Sequence, residues 1–160
     1  MKLVFSSVLF LLCSYACHAQ AKSMYFELGG PGLASINYDM RFQKTEGGLG
    51  GRIGIGGFSL SEDGDKVSAI FLPIGVNYLL GKDERNYFEI GGGITPVFIS
   101  SNSSSAQDDD NFTSTFGHLN FGYRLQPKNG GFLFRAGIVP IFNKNGFVPY
   151  YFGLSFGYKF

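Results

Sequence analysis

The sequence predicts an all-β protein, an eight-stranded antiparallel up-and-down transmembrane β-barrel with a lipid-facing wall. Three observations lead there. After residue 22, apolar and polar residues alternate with period two in eight successive runs separated by turn residues. Gly is abundant at 24 residues, beside 18 Phe and 9 Tyr, while charged residues make up only 16% against roughly 25% in soluble domains. No run approaches the roughly 18 consecutive apolar residues of a membrane-spanning helix, so any crossing has to be made by strands. The 160 residues suffice for one domain. The near balance of 13 basic and 12 acidic residues gives no footprint for nucleic acid.

The first element is an export signal. Lys2 precedes the apolar stretch Leu3 to Leu12, and Cys17-His18-Ala19 and Ala19-Gln20-Ala21 supply overlapping cleavage-compatible patterns. The expected organisation is therefore a signal peptide over 1–19, with cleavage conceivable up to 21, and a barrel domain over 20–160. Ser14-Tyr15-Ala16-Cys17 is an alternative, degenerate lipidation box acylated at Cys17. Both cysteines lie in this segment, so the mature chain would carry no disulfide or thiol metal site. Cleavage also removes Lys2, leaving 12 basic and 12 acidic groups.

The strands follow in order. Strand one, Ser23 to Gly29, sets Met24, Phe26 and Leu28 against Tyr25 and Glu27. Strand two, Ala34 to Phe42, sets Ile36, Tyr38 and Met40 against Asn37, Asp39 and Arg41. The third starts near Leu49 and carries Ile53 and Ile55 opposite Arg52, Gly54 and Gly56. The fourth has Ile70, Leu72, Ile74, Val76 and Tyr78 on one face, and the fifth opposes Phe88, Ile90, Ile94 and Phe98 to Glu89, Gly91, Gly93 and Thr95. In the sixth, Leu119, Phe121, Tyr123 and Leu125 oppose His118, Asn120, Gly122 and Arg124. The seventh carries Phe132, Phe134, Ala136, Ile138 and Phe142 opposite Arg135 and Gly137. The eighth alternates Phe152, Leu154, Phe156, Tyr158 and Phe160 with Gly153, Ser155, Gly157 and Lys159.

Two kinds of irregularity stand out. Pro73, Pro96 and Pro140 fall inside strand runs, and each removes a ladder donor. Phe58 and Leu60 in the third strand, and Phe112 and Phe116 in the sixth, sit on the opposite parity to their neighbours. A β-bulge at each place would repair the pattern by shifting the register one residue.

The decisive question is which face looks inward. A soluble calyx would need frequent Lys, Glu, Thr and Gln on its polar face, and here that face is mostly glycine. Aromatic and branched residues facing hydrocarbon, with small and polar residues filling a narrow lumen, fit better. Of the 24 charges left after cleavage, 16 fall in termini and connections and eight in strands. Those eight, Glu27, Asp39, Arg41, Arg52, Glu89, Arg124, Arg135 and Lys159, are expected to pair as a polar plug in the periplasmic half of the lumen, because an isolated buried charge is prohibitively costly. Such a plug reads as an ion network that stabilises the barrel, with a proton- or ion-conducting path as the alternative. Tyr25, Tyr38, Tyr78, Tyr87, Tyr123 and Tyr158 would form an aromatic belt at the periplasmic boundary, with Tyr150 and Tyr151 at the outer rim.

The Gly- and Phe-rich eight-run chain ending in Phe152-x-Leu154-x-Phe156-x-Tyr158-x-Phe160 resembles the small outer-membrane β-barrels of Gram-negative bacteria, such as OmpX and the OmpA barrel domain. The resemblance implies that these five residues are the signal read by the barrel-assembly machinery. It also implies outer-membrane lipid and lipopolysaccharide as surroundings. The Ala19-Gln20 junction is similar to export signals of the Bacteroidota. Unlike OmpA, the sequence is read to stop at Phe160, so no peptidoglycan-binding part is expected.

No catalytic residue, cofactor site or metal site is expected. His118 is the single histidine after the signal, lies mid-strand, and lacks the His-x-Ser pattern of lipid A deacylase barrels. Gly54, Gly56 and Gly91 to Gly93 lack the strand-to-helix context of a phosphate loop. Ser100 to Asn111, with Asp108-Asp109-Asp110, and Glu62-Asp63-Gly64-Asp65 form acidic outer connections; they are either simply solvated or hold divalent cations that bridge lipopolysaccharide phosphates. The expected function is a non-enzymatic barrel with a closed lumen and a structural, adhesive or accessory-subunit role, alternatives being a small-solute transporter and a secreted soluble calyx.

Overall fold

The structure, a computed structural model, describes residues 21–62, 65–102, 110–144 and 146–160, so the expected signal peptide over 1–19, Asp63-Gly64 and the Asp108-Asp109 stretch lie outside the described residues. The strand segments are β1 (Lys22–Gly29), β2 (Ala34–Arg41), β3 (Gly48–Glu62), β4 (Asp65–Phe71), β5 (Ile74–Leu80), β6 (Asn86–Asn102), β7 (Asp110–Leu125), β8 (Gly131–Ile138), β9 (Ile141–Asn143), β10 (Gly146–Val148) and β11 (Phe152–Lys159). β4 and β5 are collinear, as are β8 with β9 and β10 with β11, so the segments make eight antiparallel strands. The pairing of β1 with both β2 and β11 closes the sheet into a barrel without free edges around its waist.

The strands tilt steeply. Met24, Tyr38, Ile53, Ile74, Ile94, Gly117, Phe142 and Phe147 are partners in succession around the wall, from the inner end of β1 to the outer tip of β10. Here the inner end is the one carrying Lys22 and Phe160.

Side-chain direction follows the alternation. Met24, Phe26, Leu28, Phe88, Ile94, Phe152 and Phe156 point outward and are exposed, while Ser23, Tyr25, Glu27, Asn37, Asp39 and Arg41 point in and are buried. The molecule is apolar outside and polar inside, the reverse of a soluble calyx, and its greasy wall requires hydrocarbon as solvent. Glycines make room for this interior. A methyl group at Gly50 would overlap Arg41 Cζ, so the guanidinium rests directly on the β3 backbone.

The expected bulges need correction. At Pro73 the pairs Gly56 with Phe71 and Ile53 with Ile74 are three residues apart on both strands, so β4 and β5 keep one register. Pro96 likewise sits in an unshifted β6, with Val97 facing Phe71 and Ile94 facing Ile74. Its missing N–H falls opposite Leu72, beside the interruption at Pro73, and Leu72 N–H still donates to the Pro96 carbonyl at 3.0 Å. Only near Pro140 does the count change. Between the pairs Ile138 with Phe152 and Ile141 with Val148, one strand advances three residues and the other four. The extra residue lies at Pro149-Tyr150, across from Pro140.

Phe58, Leu60, Phe112 and Phe116 also involve no register shift: Ile99 faces Phe112 and Phe88 faces Tyr123, eleven residues along both strands. What changes is the surroundings. Beyond the apolar band the outward positions become Ser59, Ser61, Ser100, Thr113 and Thr115, all exposed, while the inward positions become Phe58, Ala69, Phe71, Val97 and Phe116. The rings of Phe58 and Phe71 lie 6.2 Å apart. Strand tips standing in water adopt the polarity of a soluble protein, and the inversion marks the outer edge of the lipid-facing band.

Candidate functional site: the lumen

The lumen is filled in three levels. Nearest the inner end, Asp39 on β2 accepts hydrogen bonds from Arg41 Nη2 at 2.6 Å and Arg124 Nη2 at 3.0 Å. Asn77 Nδ2 donates to its other oxygen at 2.5 Å, and Arg124 reaches Ser23 Oγ at 3.1 Å. Arg41 also donates to the Asn77 side-chain oxygen and to the Gly48 carbonyl. Both arginines are 0% exposed, which is tolerable only because a carboxylate and several neutral acceptors surround them.

In the middle, Glu89 on β6 holds Arg135 on β8 in a two-pronged pair, Nη2 at 2.6 Å and Nε at 2.9 Å. Asn120 donates to Glu89 at 3.1 Å, and Arg124 Nη1 lies 3.5 Å from the same carboxylate, linking this level to the one below. The Arg135 guanidinium also sits 4.6 Å from the centre of the Tyr25 ring.

Uppermost, Glu27 Oε2 accepts from Arg135 Nη1 at 3.1 Å, Arg52 Nη1 at 3.2 Å and Ser155 Oγ at 3.2 Å. Arg52 Nη2 lies 3.5 Å from His118 Nε2, and His118 Nδ1 lies 3.3 Å from Thr95 Oγ1. With Arg52 donating, His118 Nε2 is the acceptor and Nδ1 carries the proton. His118 and Thr95 are fully buried, so nothing in this arrangement presents a nucleophile to solvent.

Both ends of the network are covered. On the outer side the turn between β1 and β2 folds over the lumen, with Gly30, Pro31 and Gly32 buried. Gly29 and Gly30 have φ of 72° and 65°, and a side chain at Gly30 would strike Glu27 Oε1. On the inner side Glu46, from the turn after β2, accepts from Lys159 Nζ at 2.5 Å and Gln126 Nε2 at 3.2 Å, while Lys159 also reaches the Lys128 carbonyl.

The structure therefore brings Glu27, Asp39, Arg41, Arg52, Glu89, Arg124 and Arg135 into one network and sets Lys159 apart in the floor. The fifth cation takes its partner from a connection. Glu46 carries no periodic signal in the sequence, whereas Ser23, Asn77, Thr95, Asn120 and Ser155 all lie on the inward parity of their strands. Tyr25 and Tyr87 correct the belt: both are buried in the lumen, since they share parity with Glu27 and Glu89. Tyr78, Tyr123 and Tyr158 face outward and are exposed. The residues of the terminal motif, Phe152, Leu154, Phe156, Tyr158 and Phe160, all face outward along the last strand. Among the described residues no group of three or more His, Cys, Asp or Glu is placed to hold a metal ion.

A closed eight-stranded barrel with lipid-facing apolar residues and an ion-paired interior defines a transmembrane β-barrel. Its solved relatives in shape are small eight-stranded outer-membrane barrels. The N-terminal β-barrel domain of OprF from Pseudomonas aeruginosa superposes with a TM-score of 0.61 at 11% identity, over 88% of this chain and 96% of that one. Ail, the attachment invasion locus protein of Yersinia pestis, gives 0.57 at 10% identity over 88% and 96%. Neisserial surface protein A gives 0.54 at 11% identity over 88% and 94%. At these identities the likeness is one of fold. No family model matches the sequence, and no curated protein matches it.

Proposed function

We propose that this chain is exported to the outer membrane of a Gram-negative, Bacteroidota-type cell and serves there as a non-enzymatic barrel of structural, adhesive or accessory role. In this reading no solute passes the lumen. The observation that carries it is the unbroken filling of the axis, from the Glu46–Lys159 floor through the arginine network to the buried Gly30-Pro31-Gly32 turn. A barrel closed in this way acts through its surfaces. Its surroundings are outer-membrane lipid and lipopolysaccharide, and the barrel-assembly machinery is its partner in biogenesis through Phe152 to Phe160.

Adhesion draws support from Ail, an attachment and invasion protein by name. Ail has also been solved with the heparin analogue sucrose octasulfate. A polyanion of that kind suits this chain poorly, because its outer connections and their flanks hold Glu62, Asp63, Asp65 and Asp108 to Asp110 against Lys66 and Lys144. A cationic partner, or divalent cations between these groups and lipopolysaccharide phosphates, fits the charge.

The test is twofold. Membrane fractionation with heat-modifiable migration on a gel should place the protein among integral barrels, and recovery without detergent would exclude that. Purified protein in planar bilayers should show no conductance above background, and steady channel currents would instead establish the transport reading.

A further inference from the structure

The wall of the barrel is uneven at its outer end. β3 pairs with β2 only as far as Gly56 opposite Ser35, yet continues against β4 to Glu62 opposite Asp65. On the other flank β11 pairs with β1 as far as Gly153 opposite Gly29, while β10 pairs with β9 alone. Above the β1–β2 turn the wall therefore lacks two strands, leaving a notch between β3 and β10 of three interstrand spacings, roughly 14 Å.

Behind this notch the inward residues are mostly hydrocarbon, with Ser114 opposite Val97 the polar member. Phe58, Leu60, Phe71, Val97 and Phe116 line the inverted tips, and the polar network is shut off below them by the Gly30-Pro31-Gly32 turn. Despite their inward parity, Phe58 and Leu60 remain 38% and 66% exposed. At the foot of the notch Leu33 is 40% exposed and holds φ at 61°, a conformation costly for any residue with a side chain. An apolar residue presented at the expense of backbone strain, below two exposed inward apolar residues, points to an apolar occupant.

The level of the notch says which. Its foot lies where the outward face passes from Ile55 and Ile70 to Ser59 and Ser68, at the surface of the lipid-facing band. A hydrocarbon chain in the outer leaflet reaches the notch without crossing water. A strand from a partner protein fits less well: β10 runs into Pro149 and the bulge, so an inserted strand would find a regular ladder only along β3. We propose that the notch over the β1–β2 turn is a site for one acyl chain of an outer-leaflet lipid, lying against Leu33 and entering the cup between Phe58 and Leu60. This inference goes beyond the closed-lumen reading and holds or fails independently of adhesion.

The chain has no Trp, so a single introduced one reports its surroundings. Phe58→Trp and, as a second reporter should that variant fold poorly, Leu60→Trp are reconstituted in vesicles of lipids brominated on their acyl chains. Phe98→Trp, on the lipid-facing wall, serves as reference, and heat-modifiable migration verifies that each barrel is closed. The expected result is loss of Phe58→Trp fluorescence comparable to that of Phe98→Trp. Adding Leu60→Lys should abolish the loss at position 58 and leave position 98 unchanged. Quenching at position 58 by aqueous acrylamide but not by brominated chains would mean a water-filled cup, and quenching by neither would mean that a protein segment covers the notch. Either result overturns the proposal, as does brominated-chain quenching that Leu60→Lys leaves intact. None of these outcomes bears on bilayer conductance, which tests the closed lumen separately.

Discussion

Glu46 accepts a hydrogen bond from Lys159 Nζ at 2.5 Å although 113 residues separate them in the chain. One sits in the turn after β2 and the other ends β11, so this contact stretches the turn across the inner mouth of the barrel. Glu46→Ala should lower stability by about 1.5–3 kcal/mol, the range for hydrogen bonds to charged groups. Urea unfolding in lipid vesicles measures it, and an unchanged midpoint would show that the floor adds no strength.

Asp39 is shared by Arg41 and Arg124. Asp39→Asn keeps the shape but leaves the buried Arg41 guanidinium without its carboxylate and Arg124 with Glu89 alone, 3.5 Å away. The expected loss is about 3–5 kcal/mol, as for breaking a buried pair from one side. The replacement should cost clearly more than Glu84→Gln, which removes an exposed pair with Lys128 of 2.7 Å on the inner surface.

Gly50→Ala tests the packing of the lumen. The added methyl group would overlap the Arg41 guanidinium, lifting it off the β3 backbone and away from Asp39 and Asn77. Overpacking of this kind costs about 1–3 kcal/mol. If stability is retained, Arg41 has room to move.

The lipid boundary can be located with one strand. Ile53→Arg places a charge on the outward face of β3 within the apolar band and should cost about 2–4 kcal/mol or block insertion. Ser59→Arg, on the same face six residues further out, should fold with near-native stability. Equal effects at the two positions would contradict the boundary drawn from the polarity inversion.

Asp83 gives a pH dependence on the inner surface. Hydrogen bonds from the Asn86 side chain at 2.5 Å and the Asn86 backbone N–H at 2.8 Å lower its carboxyl below the ordinary value. The folded form therefore holds the proton less tightly than the unfolded chain. Its contribution to stability is complete above the ordinary carboxylate range and fades as pH falls through it. Asp83→Asn should flatten that part of the pH profile and leave neutral-to-alkaline behaviour unchanged, as followed by unfolding at a series of pH values.

Much of the barrel is legible in the alternation alone, because a strand between lipid and a narrow lumen has only two faces and each admits different chemistry. Glu27, Asp39, Glu89 and Arg135 stand out as charges on faces made mostly of small and polar residues. Phe58 and Phe116 break the pattern, since periodicity assumes one solvent outside the wall, and their segments leave lipid for water partway along. Tyr25 and Tyr87 belong to the inward set by parity, whereas their nearness to the strand ends suggests a belt. Glu46 was not legible at all: nothing in a six-residue turn indicates that it folds back across a mouth formed by strands far along the chain.

The arginine network also constrains the order of assembly. Glu27 comes from the first strand and meets Arg135 from the seventh and Arg52 from the third, while Asp39 from the second meets Arg124 from the sixth. The first four strands balance Glu27 and Asp39 against Arg41 and Arg52, but the contacts of Asp39 with Arg124 and of Glu27 with Arg135 span the ring, so an open sheet would carry charges without their cross-barrel partners into hydrocarbon. Such an intermediate must wait in a hydrated setting until its first and last strands zip together. Ring closure thereby becomes the step at which insertion turns downhill, and incomplete barrels are held back from the bilayer by their own unmatched guanidinium groups.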